Sequence, residues 1–64
     1  MTPRQAEYVS FMRQFFIEND QLPPVAVTAA AIGVRVNAAH EAMHRLERAG
    51  VIERNAVQKW RWKR

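Results

Sequence analysis

The chain has 64 residues, of which 48% are hydrophobic and 25% are charged, and it carries a formal net charge of +4. This length allows one small hydrophobic core, the composition is globular, and no apolar run approaches the roughly 20 residues that a membrane span needs. The lack of cysteine excludes disulfides and thiolate metal sites, and no secretory signal opens the sequence. We therefore expect one soluble, cytoplasmic domain over residues 1–64.

The first predicted element is a helix over residues 3–19. Thr2 is a typical N-cap, proline suits the first helical position, and Gln5 follows at the spacing of a capping box. A pair of prolines after Asp20 should end the helix and leave residues 20–24 as a loop. Apolar residues recur at steps of three and four, which predicts a buried stripe with Phe11 and Ile17 at its sides. The stripe consists of Tyr8, Val9, Met12, Phe15 and Phe16.

Two further helices are predicted in the middle of the chain. Residues 25–32 are rich in alanine, and Gly33 supplies a turn after them. Asn37 is the expected cap of a third helix that runs to about Ala49, with Gly50 as its stop. The third helix is amphipathic, with Ala39, Ala42, Met43 and Leu46 predicted to face the core and His40, Glu41, His44, Arg45 and Arg48 on the polar face.

The end of the chain is predicted to form a β-hairpin. Residues 51–54 have the pattern of a short strand and residues 55–58 that of a turn. Residues 59–63 then alternate basic residues with Trp60 and Trp62. Because side chains alternate along a strand, the tryptophans should pack against the helices while the basic residues face water or a ligand.

The basic charge is concentrated at this end of the sequence. Residues 1–44 carry a formal net charge of −1, whereas residues 45–64 carry +5. Such asymmetry suits a polyanion, either nucleic acid or an anionic membrane surface. A solvated basic tail would carry the same charges without any partner.

Five segments are recognisable by their order and spacing: residues 2–5, Pro23–Pro24, Gly33, residues 37–39 and residues 46–53. Together they resemble the N-terminal DNA-binding domain of LexA-type repressors. The resemblance implies a mainly α (α+β) fold, a three-helix winged helix-turn-helix with a C-terminal β-hairpin wing. It also implies a sequence-specific double-stranded DNA-binding protein, a transcriptional repressor of bacterial, phage or plasmid origin that is associated with the nucleoid.

The sequence departs from the family pattern at two places. The second helix and the turn after it each look about one residue shorter, and residues 34–36 stand where the family usually has a turn that ends in Ser-Pro. These 64 residues also hold no counterpart of the family's self-cleaving serine-lysine domain. The resemblance therefore carries over neither self-cleavage nor that domain's mode of dimerisation.

By this resemblance, the third helix would lie in the major groove of DNA and the wing would contact the DNA backbone. Asparagine can pair with adenine, glutamate can accept from cytosine N4, and an alanine methyl can touch thymine. The expected base-reading residues are Asn37, Ala38, His40, Glu41, His44 and Arg45, and the expected backbone contacts are Arg35, Arg48, Arg54, Lys59, Arg61, Lys63 and Arg64. In the competing interpretation Asn37 only caps the helix, and Glu41 pairs with Arg45 one turn on.

Residues 40–44 also match H-E-x-x-H, in which two histidines hold zinc and the glutamate is a general base. Glu47 extends the same helix face, but the sequence offers no recognisable third ligand and too little chain for an enclosed cleft. We expect no enzyme activity and no cofactor, and at most adventitious metal binding by the histidine pair.

Two further expectations concern partners. A DNA-binding domain of this size should pair on a palindromic site, and a homodimer surface would come from exposed Tyr8, Phe11 or Phe15 on the first helix. The alternative function is a protein–protein interaction module, such as an anti-repressor or assembly factor, built on the same fold. Neither function needs a membrane or a small-molecule substrate.

Overall fold

The computed structural model describes residues 2–57 and 59–63. Three helices, α1 (Pro3–Asn19), α2 (Val25–Ile32) and α3 (Val36–Arg48), precede the strands β1 (Ile52–Arg54) and β2 (Trp60–Trp62). The two strands pair antiparallel, with Ile52 opposite Trp62 and Arg54 opposite Trp60. The predicted fold of three helices and a β-hairpin wing is confirmed.

Helix α1 begins and ends where the sequence predicts. The Thr2 hydroxyl accepts the Gln5 amide at 3.1 Å, and the Gln5 side chain accepts the Thr2 amide at 3.1 Å. At the other end Asp20 takes a left-handed conformation, φ 58°, and its amide donates to the Phe16 carbonyl at 2.8 Å. Both ends of α1 are therefore determined locally, by a capping box and by a turn before the prolines.

Helix α3 begins earlier than predicted, and Asn37 does not cap it. The N-cap is Arg35, whose carbonyl accepts the Ala39 amide at 3.0 Å and whose side chain makes no capping bond. A side-chain cap contributes only about 1 kcal/mol. Because Gly33, at φ 84°, already turns the chain sharply after α2, the helix begins without that contribution.

The end of α3 turns the chain into the wing. The Gly50 amide donates to the Glu47 carbonyl and the Val51 amide to the Leu46 carbonyl, each at 3.0 Å, which is the Schellman arrangement. Gly50 itself is at φ 81°, a conformation that glycine adopts without strain. The predicted stop after Ala49 is confirmed, and it delivers Ile52 directly into the core.

The core lies between the three helices and the inner face of the wing. Its buried hydrophobic residues are Tyr8, Val9, Met12, Leu22, Ala29, Ala39, Ala42, Met43, Leu46 and Ile52. Phe16, Trp60 and Trp62 pack against this cluster, and the Phe16 and Trp62 rings meet edge to face with centroids 6.3 Å apart. The predicted inner faces of α3 and of the hairpin are confirmed.

Two expectations for α1 are wrong. Phe15 lies outside the core and is only half-buried, because the elements packed on α1 cover the row formed by Tyr8, Met12 and Phe16. The Phe15 ring lies next to that of Phe11, with 6.1 Å between the centroids. Tyr8 is 2% exposed, so it cannot supply a dimer surface. Within the described residues, no helix is both long and apolar enough to cross a membrane.

Leu46→Ala should lower the free energy of unfolding by about 2–5 kcal/mol, because Leu46 is 1% exposed and its loss leaves a cavity under α3. Urea unfolding followed by circular dichroism measures this change. Ile17→Ala, at a residue 78% exposed, is the matched control and should shift stability by less than about 0.5 kcal/mol. Equal effects of the two substitutions would contradict the packing described for α3.

Candidate nucleic-acid interface

The exposed side of α3 presents a row of polar side chains. Asn37, Glu41, His44 and Arg48 follow one another at steps of four, three and four residues, so they lie along one side of the helix. Asn37, Glu41 and Arg48 are exposed, whereas His44 is half-buried at the side that faces the wing. On the flanks of this line lie three further exposed residues, Ala38, His40 and Arg45, and we call all seven residues together the α3 row.

The charges of the α3 row have few partners within the protein. No ion pair joins Glu41 to Arg45, so the intrahelical pair of the competing interpretation does not form. Within residues 2–57 and 59–63, neither Arg45 nor Arg48 pairs with a carboxylate. These side chains are therefore available to a ligand.

The outer face of the wing is a closed ion cluster of Glu53, Arg61 and Lys63. The Glu53 carboxylate lies 2.6 Å from Nη2 and 2.7 Å from Nε of Arg61, and 3.7 Å from Nζ of Lys63. The hydrogen bond from Arg61 lowers the pKa of Glu53 below the usual 4.5; desolvation opposes this effect and the charges of Arg61 and Lys63 add to it. Two predicted phosphate-binding residues are thus partly neutralised in the free protein.

Glu53 is not among the predicted site residues. It lies opposite Arg61 because five residues, 55–59, separate Arg54 from its partner Trp60, and facing residues on one side of a sheet interact. The predicted four-residue turn would have placed Glu53 opposite Trp60 instead.

The inner face of the wing holds the other arginine of the hairpin. Arg54 lies opposite Trp60 in the sheet, and its guanidinium carbon is 4.6 Å from the centre of the Trp60 ring. Its Nη2 atom is 3.0 Å from Nε2 of His44. Arg54 therefore reaches from the wing to α3.

The remaining predicted backbone contacts lie at the edges of this surface. Arg35 is exposed at the beginning of α3, and Lys59 is exposed where the turn of the wing enters β2. Asn55 shapes that turn, because its side-chain oxygen accepts the amides of Val57 and Lys59, each at 3.0 Å. Arg64, also predicted to contact the backbone, lies outside the described residues.

The H-E-x-x-H segment is folded as a helix, with the His40 and His44 rings edge to face at 4.5 Å between centroids. His44 Nδ1 lies 3.4 Å from the Glu47 carboxylate. No cluster of three or more histidine, aspartate or glutamate side chains within the described residues has the geometry to hold a metal ion. The two rings contact each other, and His44 also contacts Trp60 of the wing.

Comparison with known families matches this chain to one of them. The family described as LexA DNA binding domain matches residues 1–59. The matched stretch contains all three helices, β1 and the whole segment between the strands, and it ends just before β2. None of the curated proteins matches the chain significantly.

Glu53→Gln should destabilise the domain slightly at neutral pH, because the substitution removes the carboxylate that binds Arg61 and Lys63. The pKa of Glu53 is lowered by folding, so this stabilisation is complete above the usual value of 4.5 and is lost as the pH falls through the lowered pKa. Unfolding curves of the two proteins should therefore differ at pH 7 and coincide in strong acid. A difference that persists after full protonation would show that the carboxylate charge is not its cause.

Proposed function

The chain belongs to the family of LexA DNA-binding domains, and we propose that it is a transcriptional repressor that binds specific sequences of double-stranded DNA. The observation that carries the proposal is the α3 row, whose arginines have no carboxylate partner within the described residues, beside a basic wing. Residues 1–64 act as one domain in this proposal. The protein works by binding rather than by catalysis, and it needs no cofactor or small-molecule substrate.

In the proposed complex, α3 enters the major groove with its N-terminal half against the base edges. Asn37 would pair with adenine, Glu41 would accept from cytosine N4, and the Ala38 methyl would contact thymine. His40 and Arg45 flank these positions and would reach guanine or phosphate. Because Asn37 does not cap the helix, its amide is not committed to the backbone of α3.

The backbone contacts would come from both ends of α3 and from the wing. Positively charged side chains neutralise phosphates and release counterions, which gives affinity without sequence information. Arg61 and Lys63 share Glu53, so each should contribute less than an unpaired cation. The proposed contacts are Arg35, Arg48, Arg54, Lys59, Arg61, Lys63 and Arg64.

Duplex DNA should bind the protein with an affinity that falls steeply as salt rises, and one sequence of a random pool should be enriched. Arg48→Gln should weaken binding to all sequences and reduce the log-log salt slope by about 0.9, the value for one phosphate contact. Glu41→Gln should change the enriched sequence instead. Fluorescence anisotropy at several salt concentrations, together with selection from the pool, measures both effects.

Arg13→Gln is the matched control, because it removes the same charge from an exposed position of α1. Loss of affinity equal to that of Arg48→Gln would mean that only net charge matters. Failure of the folded protein to bind duplex DNA even at low salt would overturn the proposal. That result would favour the alternative of a protein–protein interaction module, and a pull-down would then seek the partner.

We also propose that the domain pairs as a homodimer through the exposed parts of Phe11 and Phe15. Phe15→Ser should weaken self-association, because it removes a half-buried ring that no core residue covers. Ile17→Ser, at an exposed residue of the same helix, is the control and should leave association unchanged. Sedimentation equilibrium measures the dimer fraction, and a monomeric wild type at high concentration would refute the pairing.

A further inference from the structure

The side chain of Arg54 is held in place on two sides. Its guanidinium lies over the Trp60 ring at 4.6 Å and within hydrogen-bond distance, 3.0 Å, of His44 Nε2. These contacts join the wing to α3 at the junction between the two elements. An arginine fixed in this way has lost much of its rotamer freedom before any ligand arrives.

Arg54 differs in this respect from the basic residues of the outer face. Arg61 and Lys63 are turned toward Glu53, whereas no carboxylate of the described residues pairs with Arg54. A guanidinium carries five N–H donors, so the contact of Nη2 with His44 leaves most of them free. Arg54 therefore combines a fixed position with unneutralised charge.

The ring of His44 is oriented by its neighbours. Nδ1 lies 3.4 Å from the Glu47 carboxylate, and Nη2 of Arg54 is 3.0 Å from Nε2 and 3.4 Å from Nδ1. Since both ring nitrogens lie this close to the same Nη2 atom, that atom is over the face of the imidazole ring. The ring also packs edge to face with His40 and with Trp60, at 4.5 and 5.8 Å between centroids. Both polar atoms of His44 thus face groups of the protein.

We propose that His44 is a positioning residue that, together with Trp60, holds Arg54 as a preformed phosphate-binding group between α3 and the wing. Arg54 is then the main backbone contact of the wing, and His44 acts through it instead of reading a base. A backbone phosphate is the ligand, because its oxygens accept the remaining donors of a guanidinium. This inference depends on the proposed DNA-binding function.

A double-mutant cycle on duplex DNA tests the proposal. Arg54→Gln should weaken binding roughly tenfold or more and lower the log-log salt slope by about 0.9. Arg61→Gln, the matched control on the outer face, should weaken binding by less than about threefold because Arg61 is paired with Glu53 in the free protein. His44→Ala should weaken wild-type binding but have no further effect in the Arg54→Gln background.

Two results of this cycle would overturn the proposal. Equal losses for Arg54→Gln and Arg61→Gln would remove the special role of Arg54. A full-sized effect of His44→Ala in the Arg54→Gln background, with a changed base preference, would identify His44 as a base-reading residue.

The positioning itself is measurable without DNA. In the free protein, ¹⁵N NMR should show the Arg54 Nε–H group as ordered as the backbone. His44→Ala and Trp60→Leu should each make the Arg54 group mobile, whereas Arg45, exposed on α3, should not change. Unfolding curves establish that each variant is folded.

An Arg54 side chain that is already mobile in the wild type would refute the positioning. A wild type with ordered Arg54 that binds no DNA would overturn the proposed function and the phosphate ligand, while the positioning by His44 would stand.

Discussion

The fold depends on the packing of α3 against the rest of the core. Ala39 and Met43 are 0% exposed and Leu46 is 1% exposed, so three successive turns of the helix are sealed on one side. The small Ala39 and Ala42 side chains let neighbouring backbone approach closely. Ile52, also 0% exposed, enters the same core directly after the turn at Gly50. The helix and the wing are therefore oriented by one packed interior.

This shared interior explains why the two proposed DNA-contacting elements can act together. Trp60 and Trp62 pack toward the helices, which brings the inner face of the wing beside α3. Arg54 lies on this inner face, opposite Trp60. On the outer face, Glu53 offsets part of the charge of Arg61 and Lys63. The strand alternation that hides the tryptophans thus also divides the cations of the wing into two groups.

Much of the fold could be predicted from local signals. The capping box at Thr2, the prolines after α1 and the glycine after α3 act within a few residues, and the elements end where they predict. The predicted cap at Asn37 does not form, because tertiary packing and the turn at Gly33 outweigh the contribution of a side-chain cap, about 1 kcal/mol. The contact of His44 with Arg54 joins residues ten positions apart, so it depends on how the wing folds back. No periodicity could reveal it.

The Glu53 cluster also has a consequence for how such a protein would search a genome. Sequence-independent attraction to phosphates holds a regulator on the very many wrong sites, which compete with the right one. An acidic side chain among the wing cations would shorten the time that the protein spends on each wrong site. The proposed contacts of α3 with bases lie elsewhere on the surface and would keep their strength. Glu53 would therefore lower the affinity for non-specific DNA and let the protein reject wrong sites faster.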